Sequence, residues 1–135
     1  MIPENVRSLF AGRVFWMGTA DAAGMPNVAP MLQSRWTGER TLVIGDMLMK
    51  ATSANVRATG KVCLSAYDPK SDAACKLTGT AVYETAGADY DFAQAELEKR
   101  KPGKKFKGVV VFTVQAAYDQ ARGPNAGALI WSDAS

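Results

Sequence analysis

Six short runs rich in β-branched and aromatic residues, the first five closed by Gly, Pro or Asp turns, limit this chain more than any other feature. They are Arg13 to Ala20, Met25 to Trp36, Thr41 to Gly45, Lys61 to Tyr67, Cys75 to Glu84 and Gly108 to Val114. Each reads as a strand. Helical patterns are confined to Pro3 to Phe10, Ala54 to Thr59 and Gly87 to Arg100. So few helices cannot cover both faces of a doubly wound sheet, so the strands have to cover one another. The expectation is a mainly β fold, a barrel with short flanking helices, in one domain spanning residues 1–135.

Local signals refine the elements. Pro3 suits a first helical position, Val6, Leu9 and Phe10 share a face, and Gly12 ends that helix. Turns at Asp21-Ala22-Ala23-Gly24 and Thr37-Gly38-Glu39-Arg40 make the first three runs read as an antiparallel meander. Pro26 and Pro30 put the second run at an edge or interrupt it near Pro30. Gly79 marks a bulge or a close backbone approach. The helix over 87–100 carries early acids, Lys99-Arg100 at its end, and Tyr90, Ala93 and Leu97 on one face. The tail from Gln115 is mixed, with a turn at Gly123-Pro124-Asn125 and an apolar cluster at Ala128-Leu129-Ile130-Trp131.

Hydrophobic residues make up 47% and charged residues 21%, a globular balance. No apolar run has the length of a membrane span. Met1-Ile2-Pro3-Glu4-Asn5 does not read as a signal peptide, so the default compartment is the cytoplasm. A net charge of +3 does not by itself imply nucleic acid. Cys63 and Cys75 make no disulfide framework and fall in strand-like runs, as small buried hydrophobes do. The chain has no histidine. That removes Ser-His-Asp and Cys-His nucleophile systems and histidine metal sites, and assigns any redox chemistry to a cofactor.

The stretch Asp46 to Val56 (DMLMKATSANV) carries the chemistry. A strand stops, a helix begins, and between them lie Lys50, Thr52, Ser53 and Asn55. Free N–H groups at a helix start form an anion site; Lys50 adds charge, and Thr52 or Ser53 can cap the helix and donate to the anion. The segment is read as the holder of a cofactor phosphate. Taken alone, it fits an ordinary capped surface helix with a nearby lysine better.

In element order the chain resembles the split-barrel flavoproteins related to pyridoxamine 5′-phosphate oxidase, and is most similar to the small bacterial FMN-binding proteins. The residues that carry the resemblance are Gly24-Met25-Pro26, the run Val28 to Trp36, the segment Met47 to Val56, and Val62-Cys63-Leu64. The resemblance implies a six-stranded antiparallel split β-barrel that pairs as a homodimer, with FMN in each of two clefts at the interface. Carried over, the phosphate falls on Lys50, Ala51, Thr52 and Asn55. The isoalloxazine edge meets Pro30, Met31, Leu32 and Gln33, and Trp131 from the other subunit covers the ring. Read from the residues alone, Met47 and Met49, which flank the phosphate segment, suit the lining of an apolar pocket and gap-filling at the interface equally. The small FMN-binding proteins place Lys directly before Thr, whereas here Ala51 intervenes. The oxidase's substrate-binding histidine is absent, so pyridoxamine oxidase activity is not implied.

The resulting expectation is an FMN-dependent oxidoreductase or electron carrier with a small-molecule or protein redox partner. No acid or base is aimed at a substrate, and no catalytic residue is assigned. A deazaflavin or haem on the same fold is the second reading, haem lacking its usual histidine ligand. An OB-like barrel binding nucleic acid is the third. It would use Lys99-Arg100-Lys101 and Lys104-Lys105-Phe106-Lys107, six of the sixteen basic residues. A solvated loop explains that cluster better, because only Phe106 interleaves the charges.

Overall fold

A computed structural model describes residues 1–134. The element order is α1 (Glu4–Arg7), a 3₁₀ turn (Ser8–Phe10), β1 (Phe15–Ala20), β2 (Pro26–Met31), β3 (Ser34–Trp36), β4 (Thr41–Asp46), α2 (Ala51–Thr59), β5 (Lys61–Tyr67), β6 (Ala74–Glu84), α3 (Ala88–Arg100), β7 (Gly108–Asp119) and β8 (Leu129–Ser132). The mainly β expectation holds, with eight strands in place of six. The run Met25 to Trp36 splits at Leu32-Gln33, and the apolar cluster of the tail adds β8 along β7.

The neighbours run β2-β1-β5-β6-β7-β4-β3, and every pairing is antiparallel. The sheet therefore begins and ends on strands that follow one another in the chain. Two residues, Leu32 and Gln33, join its ends, so the sheet must curl into a barrel that is split along that seam. The antiparallel pairing of successive runs expected of a meander holds, β1 with β2 and β3 with β4, but the second run is divided, so the two pairs lie at opposite ends of the sheet and β4 also pairs with β7. The physical reason is the break after Met31, which sends β3 to the other end of the sheet. Pro26 and Pro30 lie on β2, whose only neighbour is β1, as residues without an N–H should.

Alternation decides what fills the barrel. Phe15 and Met17 of β1, Leu64 of β5, Leu77 of β6 and Phe112 of β7 point inward and are fully buried. Phe10 closes one end against Phe15, ring to ring at 5.6 Å and edge-on. β4 is buried on both faces: Leu42 and Ile44 face the barrel, while Val43 faces Tyr90, Ala93 and Leu97 of α3. Phe112→Ala is expected to destabilise the fold by about 3–5 kcal/mol through lost burial and a residual cavity, read by urea denaturation.

Gly79 meets its expectation. The register between β6 and β7 shifts at Thr78/Gly79, and a Cβ on Gly79 would lie 2.0 Å from the Thr113 carbonyl oxygen. Cys63 is half-buried and Cys75 is buried, both on strands. Among the described residues no helix is long and apolar enough to cross a membrane, and no group of three or more His, Cys, Asp or Glu is placed to hold a metal.

Candidate functional site

The seam opens into a cleft of about 390 Å³. One wall is the end of β2 with Leu32 and Gln33; the other is the loop Met47 to Lys50 and the first turn of α2. Of the residues expected to touch a cofactor, the structure brings together Pro30, Met31, Leu32, Gln33, Met49, Lys50, Ala51 and Thr52. Val28, Leu32 and Leu48 stand exposed along it, so its walls are apolar surface open to water.

The helix start differs from expectation. α2 begins at Ala51, three residues before the predicted Ala54, because the Ala-Thr-Ser stretch continues the helical turn instead of preceding it. Thr52 and Ser53 consequently lie inside the first turn and cap nothing. Lys50 occupies the cap position and makes no side-chain capping bond. The first-turn N–H groups are thus left for solvent or a ligand. The Ser53 hydroxyl donates to the Lys50 carbonyl at 3.2 Å. The Thr52 hydroxyl oxygen accepts from the Asn27 amide at 3.2 Å, which leaves its own proton free to donate.

Two expected residues lie elsewhere. Asn55 is buried on α2, where its side-chain amide donates to the Thr19 hydroxyl at 3.1 Å and pins α2 to β1. Trp131 is half-buried on β8, opposite Ala117 and packed on the core, with the Arg40 guanidinium 5.9 Å from its ring centre. Neither lines the cleft within one chain.

Gln33 is the most telling residue of the cleft. Its backbone carbonyl accepts from Gly45 at 2.7 Å, tying the seam to β4. Its side-chain Oε1 is buried and has no hydrogen-bond partner among the described residues. A buried orphan acceptor is costly, and a ligand N–H donor would satisfy it.

Sequence reasoning missed the supports of the loop. Asp46 is 1% exposed. Its Oδ1 accepts from the Met49 N–H at 2.8 Å, and its Oδ2 from the Tyr83 hydroxyl at 2.6 Å. Burial, then the Asp46 carboxylate, pushes the Tyr83 phenol up to about 12. The Lys107 ammonium donates to the Met49 carbonyl at 2.8 Å and lies 4.0 Å from Asp46 Oδ1. Nothing in the local sequence joins positions 46, 83 and 107; the strand pairings do.

The basic segment Lys99 to Lys107 is fastened to α3. Gln94 donates to the Lys104 carbonyl and accepts from the Phe106 N–H, and the Tyr90 hydroxyl donates to the Phe106 carbonyl. Lys101, Lys104 and Lys105 remain exposed, as a solvated loop requires.

The family model described as pyridoxamine 5′-phosphate oxidase matches residues 2–121. No curated protein sequence matches this one. Among solved structures, HupZ from Group A Streptococcus is similar with a TM-score of 0.83 and 26% identity, covering 94% of this chain and 100% of that one. An FMN-binding protein from Syntrophomonas wolfei has a TM-score of 0.70 and 16% identity, covering 84% and 80%. HutZ, the haem storage protein from Vibrio cholerae, has a TM-score of 0.65 and 10% identity, covering 89% and 96%. Identities as low as the last two attest the fold alone. With the family model spanning residues 2–121 of 135, this chain belongs to the pyridoxamine 5′-phosphate oxidase family of split barrels.

Proposed function

We propose that the cleft binds FMN and that the protein is an oxidoreductase or electron carrier working as a homodimer. The observation that supports this most is one cleft lined both by an uncapped helix start beside Lys50 and by Gln33, whose side-chain oxygen has no hydrogen-bond partner among the described residues. A flavin mononucleotide needs both: a phosphate at one end and an imide N–H at the other.

On this reading Lys50, the Thr52 hydroxyl and the N–H groups of the first turn of α2 hold the phosphate. Pro30 to Gln33 carry the ring edge, and Met49 supplies apolar contact. Bound FMN supplies the electron or hydride chemistry; the chain binds it, orients it and shields it from water. A second copy covers the exposed apolar walls, with Trp131 of the partner subunit over the ring. Haem, named for one fold neighbour, has no histidine to bind it here.

The test is a visible absorbance spectrum before and after adding FMN and desalting, with a fluorescence-quenching titration alongside. A retained, structured flavin band is expected, with the protein eluting as a dimer at micromolar concentration. Absence of both retention and quenching would overturn the FMN reading, and a monomer by light scattering would overturn the homodimer.

A further inference from the structure

We infer that Asp46 and Tyr83 are positioning residues that aim the loop Met47 to Lys50 and the start of α2 at a phosphate. The inference rests on the anion-site part of the proposed function. Neither side chain lines the cleft. Each acts through the backbone that does.

The geometry is specific. The Asp46 carboxylate grips Met49 from within its own turn at 2.8 Å and takes the Tyr83 hydroxyl from β6 at 2.6 Å. The Arg57 guanidinium of α2 stacks over the Tyr83 ring at 4.1 Å. Tyr83 thereby contacts both the loop ahead of α2 and the helix itself. Lys107 holds the next peptide group by donating to the Met49 carbonyl at 2.8 Å, and its backbone N–H donates to the Asp46 carbonyl at 2.8 Å. The loop just before Lys50 is thus fixed from β4, β6, α2 and the segment entering β7. A carboxylate placed close to an anion site opposes the anion by charge. Its burial there makes sense if orientation of the N–H groups outweighs that repulsion.

The sign of one substitution separates the two effects. Asp46→Ala removes a negative charge, so charge alone predicts tighter phosphate binding, whereas loss of aim predicts weaker binding. Tyr83→Phe is neutral and keeps the ring under Arg57. Both variants are titrated with FMN and with riboflavin, and with inorganic phosphate while following the amide signals of Ala51, Thr52 and Ser53. Thermal midpoints report folding.

Tyr83→Phe is expected to weaken FMN about tenfold, the scale of one lost hydrogen bond to a charged group, and to leave riboflavin unchanged. Asp46→Ala is expected to weaken it at least as much. Equal losses for FMN and riboflavin, unchanged affinities, or tighter FMN binding by Asp46→Ala would overturn the inference. Should the wild type bind phosphate at residues 51–53 but not flavin, the FMN reading falls and the phosphate titration of Tyr83→Phe decides this one. No phosphate response at residues 51–53, with no flavin binding, overturns both.

Discussion

Changing Lys50 and Thr52 together to alanine is expected to cut FMN affinity by at least about 100-fold, the largest binding effect available in the cleft. On the proposed reading each side chain offers the phosphate a charge-assisted hydrogen bond worth about 1.5–3 kcal/mol. The lower end for two such bonds already gives the stated factor, and coupling between neighbours makes simple addition unsafe above it. Thr52 also anchors the Asn27 amide, so its loss loosens β2 against α2. Riboflavin, which has no phosphate, provides the control: its affinity should change little. Fluorescence titration of both flavins checks the result. Equal affinity of wild type and double variant for FMN would show that the phosphate sits elsewhere.

A large effect on stability is expected at Gly79. A side chain there would drive its Cβ to 2.0 Å from the Thr113 carbonyl oxygen and to 3.0 Å from the Phe112 ring. The first of these is backbone in a paired strand and cannot step aside as a flexible side chain would. Gly79→Val is therefore expected to cost about 3 kcal/mol or more, by overpacking against a fixed ladder. Gly38→Ala is the matched control. Its Cβ would meet Thr41 at an ordinary 3.8 Å, and the cost should stay within about 0.5 kcal/mol. Urea denaturation of both variants decides it; a Gly79→Val protein as stable as wild type would mean that the bulge relaxes freely.

Much of the fold was legible because its signals are local. Strand alternation over Lys61 to Tyr67, the bulge at Gly79, the two prolines of β2 and the apolar face of α3 each follow from a few adjacent residues. Pairing was not legible to the same degree. β4 lies against β7, some seventy residues away, and only closure of the barrel selects that partner over β2. The start of α2 was missed because Ala51, Thr52 and Ser53 suit a cap and a first turn almost equally, and burial of Thr52 and Ser53 breaks the tie. The cleft followed the same division. The segment Met49 to Thr52 and the run Pro30 to Gln33 could each be picked out, but that they face one another depends on the curl of the sheet.

The seam between β2 and β3 has a consequence for how the molecule opens. The two residues that bridge it, Leu32 and Gln33, are also cleft wall. Whatever occupies the cleft bridges β2, at one edge of the sheet, and the loop and helix start that follow β4, the strand beside the other edge. Ligand escape and opening of the seam would then share one motion, and amide exchange in β2 would slow when the cleft is filled.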